Sequence, residues 1–504
     1  MKDRIHVFSA IAALLALFFA VAPVRAQGVE DRIRALEDEL SRLKAEQQQV
    51  KTEQLELKKE AAAAAAALPT FTYRPGNGVL MEAADKSWGI RFSAEMNLFM
   101  PFESGKDHVG RTNGEVMVRR GRPRFNYCMN NCFYEVELAI DLDGFGTGSA
   151  INSTGTEPNE IMQRATAFIH FENINPWLPT LAIGGDAPNT INQARQGSSS
   201  TGSQLEYDLM SRNNGWNTGS AGWAYNLEWE RRPLGIAPGT FTLQVSRGNH
   251  GVGGGLSKFS DKAHYHGWLR LDPFSQLKDK WLRGLWLEAG LWWCNLDRTT
   301  ANADAWTDFN PCGRVRLQDH GPGGRQNLFT FTPNLIGSGV GRVKGESQYT
   351  PFGIGWTIGP YTLRMLRGIQ NYNFAENAQA VDGRARNFLI GHDLFVWSPK
   401  GFLTGSATTP GSILLGFHFE RNDVSCENGP GPCAQGVSRN RVLVREWDLW
   451  YFMTNRTSIG AAVLWYDASN LTPAVQSNLG IRDNGQTGQG GDWVDVIFSG
   501  RFHF

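Results

Sequence analysis

The chain has 504 residues, and its 49 Lys and Arg side chains balance 49 Asp and Glu side chains, so the formal net charge at pH 7 is zero. Neither this net charge nor a basic domain favours nucleic-acid binding, and we expect no nucleic-acid partner. Mean hydropathy is −0.34, and beyond the amino terminus no stretch reaches the ~18 consecutive apolar residues that suggest a membrane-spanning helix.

Residues 1 to 26 have the pattern of a secretory signal peptide. Lys2 and Arg4 precede an apolar run from residue 11 to 22, which is too short to remain as a membrane-spanning helix. Val24-Arg25-Ala26 then provides a small-x-small cleavage site. We therefore expect an exported protein whose mature chain begins near Gln27.

Residues 27 to 67 are predicted to form a coiled-coil segment, with a helical seam that repeats at alternating spacings of three and four. The seam positions are Ile33, Leu36, Leu40, Leu43, Gln47, Val50, Gln54 and Leu57. A solvated single helix is the alternative, but the charges concentrate away from the seam, so association is favoured. Associating subunits of this kind mostly have cyclic symmetry, and among cyclic assemblies we expect a homotrimer. The alanine run 61 to 67 extends the helix, and Leu68-Pro69 ends it.

Residues 68 to 87 are predicted as a linker, because they contain Pro75-Gly76-Asn77-Gly78. From Trp88 onward the hydrophobic pattern has period two, which is typical of half-buried strands. Sixteen strands are predicted, near residues 88–100, 115–127, 133–142, 162–173, 178–186, 222–231, 240–248, 264–272, 284–293, 348–358, 361–369, 383–397, 411–421, 440–452, 456–467 and 492–504. An even number is what a closed single-chain barrel needs.

Short and long connections alternate between these strands. The long ones fall near residues 102–114, 143–161, 187–221, 249–263, 294–347, 370–382, 422–439 and 468–491. Outer-membrane barrels combine short periplasmic turns with longer external loops, whereas a soluble propeller or sandwich gives no reason for the alternation. The predicted fold is therefore an all-β transmembrane one: a 16-stranded antiparallel outer-membrane β-barrel over residues 88–504, preceded by a short α-helical coiled coil in the periplasm.

The closing strand and the tryptophans support this fold. Val494, Val496, Phe498, Phe502 and Phe504 are predicted on one face of the last strand, and Asp495, Ser499, Arg501 and His503 on the other. Eleven tryptophans are predicted to form aromatic girdles at the membrane interfaces: Trp223, Trp229, Trp268, Trp281, Trp286, Trp292, Trp293, Trp397, Trp447, Trp450 and Trp493. The alternative for Trp450 and Trp493 is a place in the packed core of a soluble fold.

Six cysteines fall into three local pairs, which are consistent with disulfides in an oxidising compartment. The pairs are Cys128/Cys132, Cys294/Cys312 and Cys426/Cys433. A zinc site is disfavoured because no Cys-x2-Cys unit is matched by another, and His264 with His266 provides too few ligands. Neither a nucleophile motif nor a cofactor motif is present. We therefore expect no enzyme activity, no cofactor and no metal.

The second and third predicted strands carry a family resemblance. Residues 116–125 (VMVRRGRPRF) and 133–141 (FYEVELAID) resemble the phosphate-selective porin O and P family, as do residues 401–405 (GFLTG) and the terminal Phe504. The resemblance covers roughly residues 88 to 504. It implies a sixteen-stranded trimeric diffusion channel in which arginine and lysine side chains lead anions through a constriction.

Arg120, Arg122 and Arg124 share one face of the second strand, which is predicted to face the lumen, so that Arg119 points outward. The other pore-lining candidates are Glu135, Glu137 and Asp141 on the next strand. Two interpretations remain open: the arginines form a bare anion ladder, or they pair across the strands with these acids.

The connection 187–221 is predicted to fold inward as the constriction loop, with a plain surface loop as the alternative. Its charged candidates are Arg195, Glu206, Asp208 and Arg212, and it contains no lysine. We therefore expect an outer-membrane porin for passive diffusion of small hydrophilic solutes, with a preference for phosphate or other inorganic anions. The alternatives are a non-selective porin, or an envelope tether whose coiled coil contacts the cell wall. Outer-membrane lipid is the expected surrounding partner.

Overall fold

A computed structural model describes residues 28–74, 78–104, 116–140, 162–185, 223–229, 238–247, 263–299, 315–318, 327–331, 342–376, 379–426, 439–455, 457–471 and 489–504. The chain divides into two units, residues 1–68 and 69–504. The predicted signal peptide, Asp141, and the predicted constriction loop with its four charged candidates lie outside the described residues.

The described part of the first unit is the helix α1 (Gly28–Ala67), which ends directly before Leu68-Pro69 as predicted. Side chains one turn apart support it on its surface, for example Arg42 Nε, which donates to Glu46 Oε1 at 3.1 Å. The apolar seam is open to solvent in the single chain, with Leu40 54% and Leu57 64% exposed. Within the described part of the chain, no helix combines the length and the apolar character needed to cross a membrane.

The second unit is built from strands, with a one-turn helix, α2 (Lys280–Arg283), before one of them. The strands are β1 (Thr70–Arg74), β2 (Gly78–Glu82), β3 (Trp88–Ser104), β4 (Met117–Met129), β5 (Tyr134–Ile140), β6 (Met162–His170), β7 (Thr180–Gly185), β8 (Trp223–Trp229), β9 (Gly239–Arg247), β10 (Ala263–Leu271), β11 (Leu285–Thr299), β12 (Val315–Gln318), β13 (Asn327–Phe331), β14 (Arg342–Ile358), β15 (Tyr361–Glu376), β16 (Gln379–Ser398), β17 (Gly401–Phe402), β18 (Ser412–Cys426), β19 (Arg439–Phe452), β20 (Thr457–Leu471) and β21 (Gln489–His503).

One antiparallel sheet contains nineteen of the described strands, of which β17 has only two residues and lies in a turn. From β3 to β11 each strand pairs with the next one in the chain, and the same holds from β14 to β21 with β17 omitted. β11 pairs with β14 and so joins the two series. The last strand pairs back with the first of them, from Val494↔Ser104 to His503↔Glu95. These sixteen strands therefore close into a barrel.

The linker predicted over residues 68–87 is instead a hairpin. Its strands β1 and β2 pair with each other, and β2 pairs with the start of β3, for example Val79↔Phe92. Gly78 has φ +76°, and a Cβ there would lie 1.8 Å from the Phe92 carbonyl oxygen, so the close approach of the two strands requires glycine. A second unpredicted hairpin, β12 with β13, lies within the predicted connection 294–347.

The two faces of the barrel strands differ in chemistry, as the alternation predicts. On β21, Asp495 and Arg501 are each 1% exposed, whereas Phe498 on the opposite face is 50% exposed. Large apolar side chains are likewise exposed on the outward faces of β14, β18 and β19, at Phe352, Leu415 and Leu449. The outer surface is therefore apolar, and the polar alternate positions point inward.

The predicted tryptophan girdle is partly wrong. Trp281, Trp293, Trp397 and Trp447 are exposed, but four other tryptophans are between 0% and 6% exposed and share the inward face: Trp268, Trp286, Trp450 and Trp493. Trp286, Trp450 and Trp493 share the strand parity of Glu288, Asp448 and Asp495. Trp268 Nε1 donates to Glu288 Oε2 of the neighbouring strand at 3.4 Å. Parity within the strand decides the face, and closeness to a strand end does not.

Candidate functional site: the inner wall of the barrel

The inward-facing side chains of the sixteen strands form what we call the inner wall. Its described carboxylates number nine, namely Glu95, Glu135, Glu137, Glu288, Asp393, Glu420, Glu446, Asp448 and Asp495. Its described arginines number six, namely Arg91, Arg122, Arg124, Arg270, Arg364 and Arg501. Among residues whose side chains the structure describes, the inner wall therefore carries an excess of negative charge.

A buried charge network spans β15, β16, β18 and β19. Arg364 Nη2 donates to Asp393 Oδ2 at 2.8 Å, with the two side chains 6% and 12% exposed. His418 Nε2 lies 3.5 Å from Asp393 Oδ1 and 3.7 Å from Asp448 Oδ2. The register places Glu446 directly opposite His418. Three carboxylates therefore surround one arginine and one histidine at this level of the wall.

Glycine creates the space for this network. Gly391 is paired with both Arg364 and His418, one on each neighbouring strand. A Cβ at Gly391 would lie 2.7 Å from His418 Nδ1 and 3.7 Å from Arg364 Nε. Because the strands are about 4.8 Å apart, the two long side chains can cross this position only if it has no side chain.

Arg501 and Trp450 form the next layer of the wall. The Arg501 guanidinium carbon lies 3.4 Å from the centroid of a Trp450 ring, which is a close cation–π contact. Both side chains are almost completely buried, at 1% and 0% exposure. Gly460, the partner of Trp450 on β20, leaves room for the indole, since a Cβ there would lie 2.5 Å from a ring carbon.

Arg124 on β4 neither lies in a bare arginine ladder nor pairs with an acid on β5, which were the two interpretations left open by the sequence. Arg124 Nη2 donates to Glu95 Oε2 on β3 at 3.3 Å, and Asn97 Nδ2 donates to Glu95 Oε1 at 3.1 Å. The register of β4 with β5 places Ala139 opposite Arg124 and Asn126 opposite Glu137. The described partner of Arg124 is therefore an acid on the preceding strand, and the predicted pairing of this arginine with β5 is wrong.

Glu135 belongs to a separate polar cluster at the turn end of β5. Asn126 Nδ2 donates to Glu135 Oε1 at 2.6 Å, and His170 Nε2 lies 3.2 Å from Glu135 Oε2. His170 Nδ1 in turn lies 2.7 Å from Glu172 Oε1. One imidazole therefore links two carboxylates at the rim that carries the short turns.

The remaining predicted residues have the following places. Arg122 lies opposite Glu95, and Glu137 is buried at 8% exposure. The backbone of Arg120 lies opposite Asn97, and Arg119 is the extra residue of a β-bulge, since Asn97 pairs with Arg120 and Leu98 with Val118. The side chains of Arg119 and Arg120, of Asp141, and of Arg195, Glu206, Asp208 and Arg212 lie outside the described residues.

The Cys128–Cys132 disulfide is confirmed, and it closes the turn between β4 and β5. Cys312 and Cys433 lie outside the described residues, as do the side chains of Cys294, Cys426, His264 and His266. The other two disulfides stay predictions.

The acidic positions on β16, β18, β19 and β21 were missed as candidates, although the sequence carries a signal for them. Glu446 and Asp448 alternate with Trp447 and Leu449, and His418 alternates with large apolar residues in the same way. A charged residue at every second position of a strand whose other face is aromatic indicates an inward polar wall.

Several solved structures are similar in fold. The loop-deletion mutant OmpTdeltaL8 of OmpT, an outer membrane protein of Vibrio cholerae, is 8% identical, with a TM-score of 0.46, covering 83% of this chain and 100% of that one. The outer membrane channel DcaP of Acinetobacter baumannii is 8% identical, with a TM-score of 0.47 and coverage of 83% and 98%. OmpF of Salmonella typhi is 8% identical, with a TM-score of 0.44 and coverage of 86% and 100%. No protein-family model matches the sequence, and no curated protein matches it.

Proposed function

We propose that this protein is a diffusion channel for small hydrophilic solutes across a bacterial outer membrane. The observation that carries the proposal is the closed circuit of sixteen strands with a polar inner wall and an apolar outer face. Barrels of sixteen to eighteen strands are wide enough to enclose an aqueous channel, whereas eight-stranded barrels are filled by their own side chains. Passive diffusion requires no catalytic group and no cofactor.

The outer face supports a lipid environment. Phe352 on β14 is 55% exposed, Leu449 on β19 51% and Phe498 on β21 50%, so the exposed apolar face extends over several strands. A soluble protein seldom leaves apolar surface of this extent open to water. In the proposed orientation the rim of the barrel that carries the short turns faces the periplasm.

The inner wall favours a weak preference for cations, in contrast to the anion preference predicted from the sequence. Nine described carboxylates stand against six described arginines, and acidic rings favour cations in channels. Because ion pairs such as Arg124 with Glu95 compensate part of this charge, we expect discrimination to be modest. The resemblance to phosphate-selective porins stays a prediction.

Planar-bilayer recording tests both parts of the proposal. We expect open-channel conductance, and in a KCl gradient a reversal potential of the sign that marks potassium as the more permeant ion. The double variant Glu446→Gln with Asp448→Asn should move that potential toward the chloride side. Asp467→Asn, which removes a carboxylate from the outward face of β20, is the matched control and should leave it unchanged. Chloride preference in the unmodified protein would overturn the sign, and absence of conductance would overturn the channel.

We propose further that the protein assembles as a homotrimer through α1. Its seam side chains Leu36 and Leu43 are 61% and 57% exposed in the single chain, and such a seam is normally covered by partner helices. Light scattering of the detergent-solubilised protein should give three copies, and Leu36→Ser with Leu43→Ser should weaken the assembly. Arg34→Ser, off the seam, is the control. Contact between α1 and the cell wall stays a prediction.

A further inference from the structure

A cluster of arginines lies on the outer face of the barrel, where the surface is otherwise apolar. We call it the outer arginine cluster, and its members are Arg367, Arg384, Arg386, Arg421, Arg441 and Arg445. Their strand neighbours show the direction: Ala385 and Asn387, which flank Arg386, are 1% and 2% exposed on the inner wall. The arginines therefore point away from the lumen, toward the surroundings of the barrel.

The register brings these arginines together across four adjacent strands. Arg386 on β16 lies opposite Asp423 on β18, which lies opposite Arg441 on β19. One row nearer the short turns, Arg367 on β15 and Arg421 on β18 both lie opposite Phe388. The cluster is therefore a continuous patch.

One carboxylate organises the centre of the patch. Arg421 Nε donates to Asp423 Oδ2 at 2.7 Å, and Arg441 Nε donates to Asp423 Oδ1 at 2.9 Å. The two arginine side chains remain 41% and 39% exposed, while the aspartate side chain is only 14% exposed. Asp423 thus holds two guanidinium groups at the surface.

The charge of the patch is strongly positive. The patch contains six arginines and one acid, Asp423, and the nearest other described carboxylate on this outer face is Asp467 of β20, opposite Leu443. Arg384 Nε is held by the neutral Asn371 Oδ1 at 2.8 Å. An anionic ligand would therefore find more donors here than the protein's own acids occupy.

The depth of the patch along the strands identifies the kind of anion. Four residues nearer the short turns the outer face becomes apolar, with Ile390 and Phe419 beside Arg445, the member of the cluster that lies closest to the short turns. Asp423 is ten residues from Ile413, which lies near the short-turn end of β18. At ~3.3 Å per residue and a tilt of about 40°, this corresponds to a height of about 25 Å, the height of the apolar band of an outer-membrane barrel. The centre of the patch, at Asp423, therefore lies where lipid headgroups of the external leaflet begin.

We propose that the outer arginine cluster binds the phosphorylated headgroup of a lipid in the external leaflet, an inference that rests on the proposed membrane location. A guanidinium fork matches two oxygens of one phosphate, and several exposed forks in one patch suit a headgroup with more than one phosphate. A second copy of this chain fits less well, because two such patches repel each other and the other described acids of the outer face, Glu346 on β14 and the neighbouring Asp467 and Asp492 on β20 and β21, are only three against six arginines.

Native mass spectrometry of the full-length protein in detergent tests the proposal, with bis-phosphorylated lipid A as the probe and the same lipid without phosphates as its control. We expect retention of the phosphorylated lipid alone. Arg386→Gln with Arg441→Gln should weaken retention at least tenfold, and the single variant Arg367→Gln should weaken it less. Arg283→Gln with Lys400→Gln, which removes two positive charges from the short-turn end, should have no effect. Inorganic phosphate at the lipid concentration should not displace the lipid.

Equal retention of both lipids, or equal retention by cluster and control variants, would overturn the proposal. Loss of subunit association in the cluster variants, with lipid retention unchanged, would assign the patch to contacts between copies and would overturn it too. Bilayer conductance of the same preparations separates this test from that of the channel. Cluster variants that lose the lipid but conduct normally support the lipid site, whereas an unmodified protein without conductance refutes the channel whatever it binds.

Discussion

Replacing Arg364 by methionine tests whether the inner wall depends on compensated charge. Arg364 and Asp393 form an ion pair of 2.8 Å with side chains 6% and 12% exposed, and His418 and Asp448 lie beside it. The methionine keeps most of the side-chain volume and removes the cation. Asp393 then remains buried close to a second carboxylate.

The expected cost follows from the burial of the pair. At an effective dielectric constant of about 20, two unit charges 2.8 Å apart attract by about 6 kcal/mol. Removing both charges from water cancels much of this gain, so the pair as a whole contributes little net stability. Loss of one partner leaves the other uncompensated, which costs about 3–5 kcal/mol. We therefore expect Arg364→Met to lower the free energy of unfolding by that amount, and Arg364→Met with Asp393→Leu to recover most of it.

Urea unfolding of the refolded protein in lipid vesicles, followed by tryptophan fluorescence, measures these differences. Arg283→Met, at an exposed position of α2, is the control and should change the unfolding free energy by less than about 0.5 kcal/mol. A double variant that is less stable than the single one would refute the reasoning, because it would show that Asp393 contributes independently of its partner. A cost below about 1 kcal/mol for Arg364→Met would refute it as well.

Three further predictions concern packing and the turn, and the same unfolding assay checks them. Gly391→Ala should destabilise the protein by about 1–3 kcal/mol because the new methyl group meets the His418 ring. Gly267→Ala is the control and should be neutral, since the nearest atom to its new methyl group would be 3.7 Å away. Equal effects of the two substitutions would contradict the crowding argument. Trp450→Leu should lower the free energy of unfolding by about 3–5 kcal/mol because it removes a buried indole and its contact with Arg501. Trp447→Leu, on the exposed face of the same strand, should lower it by under about 1 kcal/mol. The reverse order would show that the two faces of the strand are misassigned. Reducing the Cys128–Cys132 disulfide, which closes a short loop, should lower the free energy of unfolding by about 2 kcal/mol. Cys128→Ser with Cys132→Ser should remove this response to reductant. A response that persists in the double variant would have to come from other cysteines.

Period-two alternation was sufficient to locate the barrel strands. The predicted strand 440–452 corresponds to Arg439–Phe452, and the predicted strand 361–369 begins at the same residue as Tyr361–Glu376 but ends earlier. The difference arises because the outer ends of strands such as β15 carry Asn and Gln on both faces, for example Asn371 and Gln370, which removes the alternation. The hairpin of β1 and β2 was missed because each strand has only five residues and the turn between them resembles a linker.

The partners of individual charges could not be predicted in the same way. Arg124 pairs with Glu95 rather than with β5 because the strands on both sides of β4 have their own registers, and a bulge at Arg119 shifts one of them. A sequence gives the parity of a residue within its strand, but it does not give the offset between two strands. The network of Arg364, Asp393 and His418 depends on two such offsets at once.

The amino-terminal hairpin and the closing strand occupy the same edge of β3, one after the other. Phe504 pairs with Ala94 through hydrogen bonds in both directions, and two residues further on, Phe92 is already paired with Val79. A slip of the last strand by two residues toward the short turns would therefore collide with β2. The shear of the barrel, which together with the number of strands sets its diameter, is thus limited in one direction by β2. The residues that limit the register of the last strand therefore lie near the start of the chain, in a strand that is not one of the sixteen strands of the barrel.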